Sequence, residues 1–233
     1  MADLIKRVAL IPARGGSKRL PRKNLIEFGG KPLLVWSIEC ALETGLFERV
    51  CVTSEDPEIG EVARAHGAEW FERDPALARD RVEMDQVCLD FLEKEAAAGR
   101  PIDQLVILLT TAPLRAGQDI VSVVEAIASG EADFAMAVTD YPYSPFEALE
   151  VSDDGRARLM WPEYATKSRQ DRPHVMVDAG SVYVVNAAAY LKSRTVYGPD
   201  LKVVEVPAER AVDIDTAEDI VRAEFYRGQL AAR

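Results

Sequence analysis

The stretch Val8-Ala-Leu-Ile11-Pro-Ala-Arg14-Gly-Gly-Ser17-Lys18-Arg19-Leu-Pro-Arg22-Lys23-Asn24 joins a short apolar run to a basic loop bearing paired glycines. The run Val8–Ile11 reads as a first strand. Downstream, Leu34, Ile38, Ala41 and Leu42 recur at i, i+4, i+7 and i+8 within Pro32–Glu43. That spacing is one face of an amphipathic helix, with Pro32 near its first turn and Gly45 just past its end. Val50–Thr53 reads as the next strand, Pro57–His66 as a helix closed by Gly67, and Trp70-Phe71 as part of a third strand. Met84–Ala98 is helical in period. Leu105-Val-Ile-Leu-Leu109 is continuously apolar, as a central strand buried on both faces must be. A helix over Asp119–Ser129, strands at Phe134–Val138, Val182–Val185 and Val203–Val206, and a closing helix over Thr216–Leu230 complete the pattern. Alternation at this spacing predicts a three-layer α/β fold with a mostly parallel sheet.

Between Asp140 and Arg172 the pattern breaks. Pro142, Pro145 and Pro162 interrupt any long helix, and Asp153-Asp154-Gly155 is a turn signal between two extended runs, so the segment is predicted to be a β-hairpin excursion. At 233 residues the chain fits one domain, 1–233, and 48% hydrophobic with 29% charged residues is a globular composition. Thirty-nine acids against 28 bases give a net charge of −11, which argues against nucleic acid as the main partner. No apolar run approaches the roughly 20 residues of a membrane span. Met1–Arg7 places charges inside its first apolar stretch, unlike a secretory leader. Cys40, Cys51 and Cys88 stand far apart with no paired spacing, so neither a disulfide framework nor a zinc site is suggested. The reading is a soluble, cytoplasmic protein.

The basic loop is the sharpest chemical signal. Five cations (Arg14, Lys18, Arg19, Arg22, Lys23) fall in the ten positions 14–23. In an α/β fold the loop leaving the first strand lies over the ligand crevice. Gly15 and Gly16 allow close backbone approach, and their N–H groups with Ser17 can point at an anion. Lys18 and Lys23 supply point charges, and Arg14 a bidentate fork for phosphate oxygens. The bland alternative is a solvated basic turn. Neither the Walker A pattern nor the dinucleotide fingerprint is present.

Near the other end, Asp213-Ile214-Asp215-Thr216 precedes the final helix. Alternate residues of an extended pair face one way, so both carboxylates can converge on Mg²⁺, with substrate phosphates completing its shell. The competing role is structural: acids at a helix N-terminus, with Thr216 as N-cap and Asp219 three residues on. His66 suits a helix C-terminus, His174 a solvated loop, and the cysteines, Trp36 and Trp70 the core.

These residues together resemble the acylneuraminate cytidylyltransferases, the CMP-sialic acid synthetase family, which includes enzymes for pseudaminic and legionaminic acids. The resemblance runs through positions 11–24, Gly30-Lys-Pro-Leu33, Thr53-Ser-Glu-Asp56, Arg73 and Asp74-Pro-Ala-Leu77. It continues at Leu109-Thr-Thr-Ala-Pro-Leu-Arg115, Asp178-Ala-Gly180 with Tyr183, and Asp213-Ile-Asp-Thr216. It implies a nucleotidyltransferase (Rossmann-like) fold and Mg²⁺-dependent transfer of CMP from CTP to the anomeric hydroxyl of an acidic nine-carbon sugar, releasing pyrophosphate. It places Arg14, Ser17, Lys18, Lys23 and Asn24 on CTP and its phosphates, Arg73 on the cytosine side, and Asp213 and Asp215 on the metal. Leu109, Arg169, Gln170 and Tyr183 fall in the sugar region; Arg14, Lys23 and Asp215 form the catalytic set. It also implies a homodimer, with 140–172 reaching toward the partner subunit.

This chain departs from the sialic acid pattern Leu-Leu-Gln-Pro-Thr-Ser-Pro-Leu-Arg. Leu109 stands at the glutamine, Thr110 at the first proline and Ala112 at the serine. Asp178-Ala-Gly180 follows the pseudaminic branch, Val196-Tyr197 replaces a phenylalanine pair, and Arg81, Val82 and Glu83 replace small hydroxyl residues. CTP as donor survives these changes better than N-acetylneuraminic acid as acceptor. The alternatives are a non-catalytic nucleotide-sugar binding protein of the same fold and a cytidylyltransferase for an eight-carbon ulosonic acid. Retention of both Asp213 and Asp215 argues against the first. The absence of Gly-Gly-Ser-Lys and Lys-Asn from the eight-carbon family's opening loop argues against the second.

Overall fold

Strand β1 (Arg7–Pro12) pairs in parallel with β4 (Arg49–Ser54) on one side and with β6 (Gln104–Leu108) on the other. The computed structural model describes residues 5–232, so Met1–Leu4, on which the reading of the chain's start partly rests, lie outside the described residues. Around β1 a seven-stranded sheet runs in the order β11-β7-β10-β6-β1-β4-β5. Here β5 is Glu69–Glu72, β7 Phe134–Asp140, β10 Met176–Asn186 and β11 Lys202–Glu205. Only β10 runs against its neighbours, pairing antiparallel with both β6 and β7, so the sheet is mostly parallel as expected.

Period-two alternation in β6 explains the three layers. Val106 and Leu108 pack with helices α1 (Leu33–Thr44), α2 (Pro57–Ala65) and α4 (Gly117–Ala126). Leu105 and Ile107 pack on the opposite face with α3 (Met84–Ala97) and α5 (Ala187–Ser193). All five β6 residues are buried, as a central strand covered on both faces requires. The helix ends follow the sequence signals: Gly45 closes α1 with φ 63°, and Asp56 caps α2 by accepting from the Glu58 amide at 2.9 Å. Thr216 and Asp219 form the capping box of α6 (Ala217–Ala231). A third core cluster joins α6 to Phe28, Leu33, Leu114 and Ile214.

Three elements were not anticipated. β2 (Glu27–Phe28) and β3 (Lys31–Pro32) make a tight hairpin through Gly29 and Gly30, whose φ of 57° and 85° only glycine adopts freely. α5 is too short for its period to show. β10 extends well before Val182 and contains a bulge between Asp178 and Tyr183, where Gly180 has φ 58°. Within the 140–172 segment, β8 (Leu149–Val151) and β9 (Ala157–Leu159) form the expected hairpin, apart from the main sheet, with Glu150 opposite Arg158.

Ile107 is fully buried between β1 and β10. Ile107→Ala is therefore expected to cost about 2–5 kcal/mol. Val203→Ala, on edge strand β11, should stay within about 0.5 kcal/mol. Urea denaturation of both variants checks this, and equal midpoints would refute the layer assignment.

Candidate active site

Parallel pairing puts the carboxyl ends of β1, β4 and β6 on one edge of the sheet, where ligands of open α/β sheets bind. From those ends come the basic loop, Glu55-Asp56 and the Leu109–Arg115 loop. A hollow of about 310 Å³ on this edge is lined by Arg14, Ser17, Lys18, Arg19, Lys23, Asn24, Asp80 and Asp215. Five sequence-predicted phosphate residues thus meet one predicted metal ligand.

Two carboxylates hold the cations in place. Asp80 pairs with Arg14 at 3.2 Å and with Lys18 at 2.5 Å; the Lys18 hydrogen bond, reinforced by both positive charges, holds its carboxyl below the usual range. Asp215 accepts from Lys23 at 2.9 Å and from Arg19 at 2.7 Å. Asn24, buried, donates to the Arg14 carbonyl at 2.8 Å and accepts from the Thr110 hydroxyl at 2.6 Å, bracing the loop against the end of β6.

The glycines behave differently from one another. A Cβ on Gly15 would lie 2.6 Å from Asp56 Oδ2, so close packing demands glycine there. Its N–H, expected to face an anion, instead donates to Glu55 Oε1 at 2.8 Å. The carboxylate has taken the amide, which corrects that expectation. Gly16 faces open space.

Asp213 and Asp215 flank fully buried Ile214, whose amide donates to the Thr111 carbonyl at 2.8 Å. Desolvation raises the Asp213 carboxyl above its usual range; the Thr111 hydroxyl opposes this and the Asp215 charge adds to it. Arg73 sits at the ends of β4 and β5, only 4% exposed, donating to the Thr53 carbonyl at 2.5 Å. Burial lowers its pKa, and its Nε is buried without a partner. It does not line the hollow.

On the side where the resemblance places the sugar, the Leu109 amide donates to the Ser181 carbonyl at 3.2 Å, tying the end of β6 to the β10 bulge. Tyr183 and Tyr197 both donate to Asp178 Oδ2, at 2.8 and 2.7 Å, while the Gly180 amide donates to Oδ1 at 2.8 Å. Burial, reinforced by Asp178, raises both phenols, Tyr197 to about 12. Arg169 and Gln170 do not line the 310 Å³ hollow. They lie in a short turn of the excursion, Gln170 exposed and Arg169 lining a separate hollow of about 530 Å³ with Tyr143, Arg172 and His174. From sequence, Arg19, Asp80 and Asp178 carry no assigned site role, and Tyr197 enters only with Val196 in place of a phenylalanine pair. Arg19 sat in plain view within the basic loop, whereas Asp80 carries no local signal and is found only by its position opposite two cations.

A family model described as cytidylyltransferase matches residues 8–219. The chain is 35% identical to a pseudaminic acid cytidylyltransferase of Campylobacter jejuni, over 93% of this chain and 94% of that one. It is 28% identical to a CMP-N,N'-diacetyllegionaminic acid synthase of Legionella pneumophila, covering 91% and 92% of the two chains. The fold superposes on a CMP:2-keto-3-deoxy-manno-octonic acid synthetase complexed with CTP with a TM-score of 0.72 at 18% identity, over 97% and 99% of the two chains.

Asp80 occupies the cations that an incoming anion would use. Asp80→Asn is therefore expected to tighten pyrophosphate binding by about two- to fivefold at low ionic strength, with the gain fading as salt rises. Titration calorimetry reads this directly, and unchanged or weaker binding would refute the competition.

Proposed function

The chain belongs to the cytidylyltransferase family, and from that membership we propose that it transfers CMP from CTP to the anomeric hydroxyl of a nine-carbon acidic sugar, with pseudaminic acid the first candidate acceptor. The observation that carries the reading is end-to-end similarity to a pseudaminic acid enzyme, together with a cation-lined hollow at the carboxyl edge of the sheet. Legionaminic and N-acetylneuraminic acids are the other candidates.

In this reaction the anomeric oxygen bonds to the α-phosphorus. The bridge to the β-phosphate breaks, and pyrophosphate leaves with that electron pair while the hydroxyl proton is released. No covalent bond to the protein is needed, so its task is positioning and charge stabilisation. Arg14 and Lys18, drawn off Asp80, would hold the leaving phosphates. Lys23, more buried and kept in place by Asp215, would face the α-phosphate, where negative charge builds. Ser17 lies beside them in the hollow, and Asn24 fixes the path of the loop. Arg73 is the candidate for the cytosine side: an arginine donor suits the O2 and N3 acceptors of cytosine and clashes with the N3 donor of uracil.

The residues at 213 and 215 fit Mg²⁺. Among the described residues no cluster of three acidic, histidine or cysteine ligands exists, so the protein would supply two carboxylates and leave the other positions to phosphate and water. The charge of Asp215 raises the already desolvated Asp213, and a bound cation would offset that repulsion. Bound there, Mg²⁺ would neutralise phosphate charge and orient the α-phosphate for in-line attack.

We also propose that the protein is a cytoplasmic homodimer joined through 140–172. Apolar side chains exposed on that segment support this, among them Tyr143 at 85% and Val151 at 65%. Three free cysteines suit a reducing compartment, and among the described residues no helix is long and apolar enough to cross a membrane. Sedimentation at micromolar concentration is expected to show a dimer that Tyr143→Asp/Val151→Asp dissociates. A monomeric wild type would remove this part of the reading, and cell fractionation checks the compartment.

The reaction is tested by pyrophosphate release with CTP, Mg²⁺ and pseudaminic, legionaminic or N-acetylneuraminic acid. Release with one of them is expected, and Lys23→Ala and Asp215→Ala should each cost about 10²- to 10³-fold in turnover. Silence with every acid, or near-wild-type turnover in both variants, would overturn the proposal.

A further inference from the structure

The loop that follows β6, Leu109–Arg115, contacts Asn24, the Asp213-Ile214 segment and the β10 bulge, and Arg115 pins it. Arg115 is only 5% exposed, yet among the described residues no carboxylate pairs with its guanidinium. Asp119, whose charge it feels, is gripped instead by Arg210 through bonds of 3.0 and 2.8 Å. The partners of Arg115 are neutral. Nη1 donates to the Ser181 carbonyl at 2.7 Å and the Leu109 carbonyl at 3.2 Å, and Nη2 donates to Ser37 Oγ at 2.7 Å. Ser37 in turn donates to the Leu109 carbonyl at 3.3 Å.

A charge buried against neutral acceptors is expensive, and an apolar side chain of similar volume often serves stability as well or better. What the guanidinium adds is geometry. One rigid fork ties α1, the end of β6 and the bulge of β10.

We infer that Arg115 is a positioning residue for the acceptor sugar: by locking the bulge that carries Asp178 and Tyr183 against Leu109, it sets the acceptor's place relative to the nucleotide. The nucleotide side is held by other bonds of the same loop, Thr110 to Asn24 and Thr111 to Asp213, which do not involve Arg115. Its loss should therefore fall on the acceptor and spare CTP. The inference rests on the proposed reaction.

The test compares wild type, Arg115→Met and Arg115→Lys by thermal melting, CTP calorimetry and steady-state kinetics with the acid sugar that the wild type uses. Arg115→Met is expected to raise the acceptor KM about tenfold or more and lower kcat, with CTP affinity within about twofold of wild type. Arg115→Lys, which reaches one side of the fork only, should recover part of the loss. An unchanged acceptor KM would overturn the inference, as would equal weakening of acceptor and CTP. If Arg115→Met does not fold, Ser37→Ala carries the test, with an expected rise in acceptor KM of about threefold and unchanged CTP affinity. A wild type silent with every acid sugar would overturn the proposed reaction and this inference with it; an active wild type isolates the inference.

Discussion

Four cations crowded around one small hollow repel one another, and the loop keeps its shape because Asp80 and Asp215 stand between them. The two acids leave a surplus of positive charge, which favours an anion in the hollow over a cation. They also differ in what they can yield. The Asp80 pairs are exposed and therefore weak. The Lys23–Asp215 pair is more enclosed, with side-chain exposures of 14% and 28%, so solvent screens it less. It joins the N-terminal loop to the start of the C-terminal helix, where Asp219 accepts from the Asp215 amide at 3.1 Å.

Strand direction places the remaining parts. The excursion departs from the carboxyl end of β7 and returns through the amino end of the antiparallel β10, so both of its stems lie on the ligand edge of the sheet. That one reversed strand also delivers Asp178, Gly180 and Tyr183 beside the end of β6. In a fully parallel arrangement the start of this strand would lie at the far edge.

The departures from the sialic acid pattern acquire physical meaning in the structure. Thr110 stands where those enzymes have proline, and its hydroxyl makes a bond to Asn24 that proline cannot make. Leu109, in place of glutamine, packs against the core shared by α3 and α5. Polarity near it comes instead from the hydrogen-bonded group of Asp178, Tyr183 and Tyr197. Ala112 is fully buried, where a serine hydroxyl would need a partner of its own.

Local signals in the sequence were enough for the strand–helix alternation, the buried β6, the capping of α6, the hairpin turn and the density of charge after β1. Each depends on periodicity, turn chemistry or composition over a few residues. Tertiary structure alone decided which acid faces which cation, because Asp80 and Asp215 meet the loop across 62 to 196 residues of chain. It also turned the Gly15 amide toward Glu55, reversed β10 and left the Arg115 charge buried without a carboxylate. Pairings between distant segments follow from strand order and packing, and no short stretch of sequence carries that information.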